Sequence, residues 1–409
     1  MNEFKNQIVF LFTENFPYGS GEAFLENEIN FASEITQIYI FPRAGYNEKN
    51  YSRKITSKVK VVNLISDEKK LSAKSKSIRN FFFNLRILTI EIFKSGKPIK
   101  VIKRSRELFS ILYKAHALAE LTETFRKENN IQNPVYYSYW MNEWTLALSI
   151  SKDKFYLKNF IFRVLGYDIY DERHPGNYMP FRYYNYSRCA KVYAVSKNSM
   201  NYILQKNIFP QKITFSYLGT TDYGLNPMTK NAEFTILSCS RLIPLKRVHL
   251  IPAILKHINQ PVKWIHIGSG PELEKVQNLI SSLNKNIKVE IIPHFQDYAQ
   301  LISFYLKTHI DLFLHVSETE GLGVVHLEAM SFGIPVFTTK VGGASEFINN
   351  DNGSLFDIEF DPKEVAQLIL AFINDSTKNE KYRLGIKSYW EQHFEYKKLY
   401  NEFYSKILE

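Results

Sequence analysis

The sequence predicts an α/β protein made of two doubly wound domains with parallel sheets. Short continuous runs of β-branched and aromatic residues alternate with longer helical patterns. Strands that are apolar on both faces belong to parallel sheets covered by helices. The alternation occurs twice, on either side of the polar break DYGLNPMTKNAE at residues 222–233. A chain of 409 residues also exceeds one ordinary core.

Taken in order, the predicted strands of the first half are residues 8–13, 37–42, 134–140, 159–165, 190–196 and 213–219. In the second half they are 234–240, 262–268, 287–294, 311–317 and 335–339. In doubly wound sheets ligands bind beyond the carboxyl ends of strands, so the segments just after these runs carry the most information. The sequence has no solenoid repeat and no low-complexity tract.

Composition narrows the class. A hydrophobic fraction of 45% with 15% aromatics is globular rather than disordered. Two cysteines, Cys189 and Cys239, give neither a disulfide framework nor metal-ligand spacing, so a reducing compartment is expected. The opening MNEFKNQIVFLF lacks the cationic and long apolar regions of a signal peptide. No apolar run is long enough to span a bilayer.

Charge is concentrated. Between Lys69 and Arg106 stand twelve Lys/Arg against the single acid Glu91, which equals the +11 of the whole chain. Phe81, Phe82, Phe83, Leu85, Ile92 and Phe93 lie in the same stretch. Cations mixed with large apolar groups suit a helix on an anionic membrane surface. A solvated basic face on a buried helix is the plainer alternative. No nucleic-acid-binding motif accompanies the charge, so nucleic acid is not an expected partner.

Four segments carry candidate chemistry. SETEGLGVVHLEAMSFGIPV places Glu320 in a glycine turn (Gly321, Leu322, Gly323) after a strand and Glu328 in the helix that follows. Amides at such a helix start face anions, and two acids beside them accept hydrogen bonds from hydroxyls. SRLIPLK puts Arg241 and Lys246 just beyond a strand, where two cations can neutralise a diphosphate. FPYGSGE, with Gly19 and Gly21 after the first strand, is either a close-approach loop for a ligand or an ordinary loop. Gly268, in GSGP, is a weaker version of the same pattern. RVLGYDIYDERHPG supplies Asp168, Asp171, Glu172, Arg173 and His174 as cleft-lining candidates, with a plain polar loop nearly as good a reading. His294 and His315 read as core or strand-end histidines and receive no role.

Together these residues resemble the retaining nucleotide-sugar glycosyltransferases of family 4, which have the GT-B fold. The signature is the pair of glutamates eight apart, Glu320 and Glu328, inside S-x-x-E-G-x-G-x-x-x-x-E-A-M-x-x-G-x-P-V, followed by Gly342, Gly343 and Glu346. FPYGSGEAFLENEI is similar to the opening of members that build bacterial surface polysaccharides, and YWEQHFEYKKLYNEFY to the family's final helices. The resemblance implies two Rossmann-like domains facing a central cleft. Residues 1–225 would form the acceptor domain, with a basic amphipathic segment at 69–106. Residues 226–388 would form the donor domain, and 389–409 a helix crossing back to the first domain.

The resemblance also implies roles. Glu320 would hold hydroxyls of the transferred sugar and Glu328 the ribose. Arg241 and Lys246 would stabilise the departing diphosphate, assisted by amides at 321–323. Gly19, Gly21 and Gly268 would border the donor, a UDP- or GDP-type nucleotide sugar. No metal or other cofactor is expected. The acceptor would be a glycan or lipid-linked glycan, and the enzyme cytoplasmic, peripheral on the inner face of the membrane. One departure stands out: Leu165-Gly-Tyr-Asp168 carries leucine where such enzymes commonly have a cleft histidine. Leucine makes no hydrogen bond, so Asp168 is expected to act in catalysis and Arg173 and His174 on the acceptor side. A GT-B epimerase or phosphorylase, or a non-catalytic nucleotide-sugar scaffold, are the alternatives.

Overall fold

The computed structural model describes residues 7–19, 21–43, 53, 55–65, 77–229, 233–293, 295, 298–375, 377 and 379–408. Residues 69–76 of the basic segment and His294 lie outside them. The chain divides into two compact units, one of residues up to Tyr217 together with those from Tyr400, the other of Leu218–Leu399. The first boundary therefore falls eight residues before the expected 225/226. The return to the first unit begins at Tyr400 rather than at 389.

The first unit is built on seven strands: β1 (Ile8–Thr13), β2 (Gln37–Pro42), β3 (Val59–Val61), β4 (Val135–Ser138), β5 (Phe160–Val164), β6 (Lys191–Ala194) and β7 (Ile213–Phe215). Their order is β3-β2-β1-β4-β5-β6-β7 and every pairing is parallel. Strand order reverses between β1 and β4, which opens a crevice at their carboxyl ends. IVFLFT in β1 is buried from Val9 on because both faces are covered.

A charged cluster lies inside this core. Arg163 of β5 is fully buried, donates Nε to Tyr137 Oη at 2.5 Å and Nη1 to Ser216 O at 2.8 Å, and stands 3.8 Å from Glu28. Its guanidinium lies 4.0 Å from the Phe403 ring centroid. Tyr137 Oη donates to Glu28 at 3.0 Å and Tyr404 Oη at 3.4 Å. Residues 400–408 thus complete the first unit's interior rather than decorate it.

The second unit holds β8 (Phe234–Cys239), β9 (Val262–Ile267), β10 (Ile287–Ile292), β11 (Leu312–His315), β12 (Val336–Thr339) and β13 (Gly353–Phe356). The order is β10-β9-β8-β11-β12-β13, again all parallel. Order reverses between β8 and β11, so Cys239 and His315, at the ends of these strands, mark the ligand-binding end. Trp264 anchors the core, donating its indole N–H to Ser238 Oγ at 2.9 Å. Two edge strands, β3 and β13, are additions to the sequence-predicted set. At three and four residues they are too short to show a pattern of their own.

Candidate functional site

In the second unit the predicted residues converge at the reversal point. The turn after β8 carries Arg241, then the short 3-10 turn Pro244–Lys246. Lys246 Nζ donates to Glu320 Oε1 at 2.5 Å, and the His315 Nε2–H reaches the same oxygen at 2.8 Å. Burial alone would push the Glu320 carboxyl up. The Lys246 ammonium and the His315 hydrogen bond instead hold it well below the usual carboxylate range. Burial keeps His315 below its ordinary value, so the ring is a neutral donor. Arg241 is exposed, and its side chain makes no hydrogen bond or ion pair among the described residues. Lys246 is thus already engaged, whereas Arg241 is available to an incoming anion.

The glycine turn places Glu320. The helix Val324–Ser331 follows the turn directly, capped by Gly323 at φ 82°. A Cβ on Gly342 would stand 2.1 Å from the Glu320 carbonyl oxygen, at φ 51°. Only glycine lets the strand-β12 loop lie against the Glu320 turn that closely. Gly343 N donates to Gly321 O at 2.9 Å, tying the two loops together. Gly268 serves the same end beside β8: its Cβ would be 1.9 Å from Ser240 O. Its backbone is therefore packed against the loop that bears Arg241. Arg247, one residue past Lys246, braces the site by donating to Val316 O at 3.0 Å and Ile358 O at 2.9 Å.

Glu328 sits on the same helix in a different setting. Tyr298 Oη donates to Glu328 Oε1 at 3.1 Å. Burial pushes this carboxyl up to about 7 against the Tyr298 hydrogen bond. Both Glu328 and Lys246 act electrostatically on the Cys239 thiol, which burial pushes up to about 12. Glu320, Glu328 and Lys246 therefore share one region at the β8/β11 reversal. The two carboxylates differ in kind: Glu320 is a pinned anion, and Glu328 changes charge near neutrality.

The sequence gives His315 no role and does not single out Tyr298. A lone histidine at a strand end reads as core, and its partner Glu320 comes only after the turn. His326, buried beneath the turn, packs edge-on against His315 at 4.8 Å. It too carries no sequence signal beyond its own identity. Among the described residues, no group of three or more His, Cys, Asp or Glu is placed to hold a metal ion.

In the first unit the candidate residues lie in the loops after β4 and β5. Asp168, expected to be catalytic, is buried with both carboxylate oxygens engaged by backbone amides. Oδ1 accepts from Leu165 N at 2.7 Å and Gly166 N at 3.2 Å, and Oδ2 from Met141 N at 3.0 Å. Burial raises its pKa despite these bonds. Through these bonds it ties the loops after β4 and β5 together. His174 accompanies it: the Nε2–H donates to Tyr167 O at 2.6 Å and the ring lies 4.3 Å from that of Tyr167. Arg173 lies over the Tyr170 ring at 4.9 Å.

These loops border a cavity of about 510 Å³ at the carboxyl ends of β1, β4 and β5, lined by Glu14, Trp140, Tyr167, His174, Met179 and Phe181 among others. Gly19 and Gly21 belong to the loop after β1. That loop already encloses an anion of its own. The Glu22 carboxylate accepts from the amides of Glu14 at 3.1 Å, Asn15 at 2.7 Å and Phe16 at 2.6 Å. The Trp140 indole donates to it at 2.5 Å.

Two all-parallel, doubly wound units, with a glutamate-bearing glycine turn at the reversal point of the second, define the GT-B glycosyltransferase fold. Comparison with known proteins agrees. Residues 227–388 match the family Glycosyl transferases group 1. Over 157 residues the chain is 29% identical to N-acetyl-alpha-D-glucosaminyl L-malate synthase of Bacillus anthracis, spanning 38% of this chain and 39% of that one. It is 31% identical over 157 residues to the capsular polysaccharide biosynthesis glycosyltransferase CapM of Staphylococcus aureus, 37% of this chain and 39% of the relative. The chain thus covers about two fifths of each of these curated relatives. The crystal structure of Anabaena HepE in complex with UDP and glucose superposes with a TM-score of 0.67 at 16% identity, covering 98% of this chain and 99% of that one.

Proposed function

We propose that the protein is a retaining glycosyltransferase of family 4 that moves a sugar from a UDP- or GDP-type nucleotide donor to a glycan or lipid-linked acceptor. Its place would be cell-surface polysaccharide or lipopolysaccharide synthesis on the inner face of the cytoplasmic membrane. The observation that carries the reading is Glu320, held as an anion by Lys246 and His315 beside Glu328 on the next helix. HepE was solved with UDP and glucose, and CapM is a capsular polysaccharide enzyme, which supports the donor and pathway class.

Glu320 would accept hydrogen bonds from hydroxyls of the transferred sugar. Glu328 would accept from the ribose. The transition state resembles an oxocarbenium ion separating from a diphosphate, so negative charge grows on the leaving oxygens. Lys246 and Arg241 would meet that charge, with the amides of Gly321, Leu322 and Gly323 at the helix start. These groups would do the work without a metal. Gly268, Gly19 and Gly21 would border the donor. The acceptor would enter the cavity beside Trp140 and His174, with Arg173 nearby. We assign no catalytic base, since the leaving phosphate itself can take the acceptor proton.

The test is a panel of nucleotide sugars assayed for nucleotide diphosphate release in the presence of membrane extract. Release with one donor class, and an anomeric configuration preserved in the product by NMR, supports the reading. Binding of a nucleotide diphosphate with no turnover for any donor would establish the scaffold alternative instead.

A further inference from the structure

The helix Ile78–Lys94 is built inside out. Toward its own unit it turns Asn80, Asn84 and Glu91 along with Ile87 and Leu88. Each of the three polar side chains makes a hydrogen bond, while Asn84 Nδ2 and Glu91 Oε2 are buried without one among the described residues. Asn84 Oδ1 meets His116 Nε2 at 2.7 Å, and Asn80 Oδ1 accepts from Lys154 Nζ at 2.9 Å. Glu91 Oε1 accepts from Tyr178 Oη at 2.7 Å and Phe181 N at 3.0 Å. Buried polar groups without these partners would each cost stability, so the bonds fix which face points inward.

The outward face is correspondingly apolar. Ile78 is 79%, Phe82 63% and Phe93 77% exposed, and the adjoining helix Pro98–Lys103 adds Ile99 at 68% and Ile102 at 59%. Seven of the fourteen large exposed apolar side chains among the described residues fall within residues 78–102. Such a concentration marks an interaction surface rather than scatter. The exposed charges between residues 77 and 103 are all positive: Arg79, Arg86, Lys94, Lys97 and Lys103. The only acid there, Glu91, is the buried one.

We propose that this face docks on an anionic phospholipid bilayer, with Ile78, Phe82, Phe93, Ile99 and Ile102 entering the acyl boundary and the five cations meeting the headgroups. An apolar centre with flexible cations around it is the chemistry of an interfacial helix. A second copy of the same face is disfavoured, because it would double the positive charge with no exposed acid opposite. The inference concerns where the protein sits. It rests on the membrane placement proposed above and is tested separately from the sugar-transfer reading.

Flotation of the full chain tests it, with vesicles of phosphatidylcholine alone and vesicles containing about 30% phosphatidylglycerol. Recovery with the anionic vesicles should exceed that with the neutral ones by at least about tenfold. The double variants Phe82→Ser with Phe93→Ser, and Arg79→Glu with Arg86→Glu, should each lower it by about tenfold. Their UDP-induced shift in Tm should match that of the unaltered protein, since none of the four residues lies in the nucleotide site. Equal recovery with both vesicle types overturns the proposal, as do variants that float like the parent. A parent that forms dimers, split by the Phe variants, without binding vesicles would assign the face to self-association and overturn it as well.

Discussion

Removing the Lys246 ammonium separates catalysis from stability. In Lys246→Ala, Glu320 Oε1 loses the ammonium donor and keeps that of His315. Side-chain exposures of 21% for Lys246 and 12% for Glu320 put the pair between a surface ion pair and a fully buried one. The stability loss should therefore be about 1–2 kcal/mol, between the small value of exposed pairs and the larger cost of breaking buried ones. In a domain of this size that lowers Tm by roughly 2–8 °C. The transition state should lose more. A preorganised donor at a developing oxyanion contributes about 3 kcal/mol, so kcat should fall by about 100-fold or more. Nucleotide diphosphate release at saturating donor measures the first quantity, and thermal unfolding of the same preparation the second. Turnover within about twofold of the parent would refute the leaving-group role. So would a kcat loss fully explained by the unfolded fraction.

Other consequences follow from the same geometry. Glu328 is pushed up to about 7, so the folded protein favours its neutral form. Its stabilising contribution is complete below the ordinary carboxylate value and is lost as pH rises through about 7. The proposed ribose contact would use the anion and should run the other way: UDP affinity, measured by calorimetry, should weaken as pH drops below about 7, and Glu328→Gln should flatten that profile. His315→Gln keeps a donor near the position of Nε2 and should leave donor KM within a few-fold, whereas His315→Leu should raise it clearly in steady-state assays. Asp168→Asn should act on folding: amides now satisfied by a carboxylate lose partners, for about 1–3 kcal/mol read by denaturant titration. The kcat per folded molecule should stay within a few-fold.

What the sequence disclosed follows from how strongly each feature is written locally. Strands buried on both faces, such as IVFLFT and FTILSC, announce themselves by composition. The edge strand Gly353–Phe356 opens on a glycine whose Cβ would be 1.9 Å from Val336 O. Glycine is needed there, yet it reads as a break. Glu320, Glu328, Arg241 and Lys246 were visible because they follow strands at fixed offsets. The environment of a side chain is not so encoded. Asp168 and Glu320 both follow strands in glycine-containing loops. Only the structure distinguishes the first, saturated by amides, from the second, held by a lysine and a histidine. His315 reads as a strand-end histidine for the same reason, and its contact with Glu320 appears only in the structure.

The buried cluster around Arg163 sets an order on biosynthesis. Without Phe403 and Tyr404, Arg163 loses its aromatic cover and Glu28 one of its hydrogen-bond donors. The amino-terminal half therefore cannot close its interior while the ribosome is still making residues 218–399. The intervening unit spans Leu218–Leu399 without the final residues and so can fold before they are made, leaving the half made earliest to be completed last.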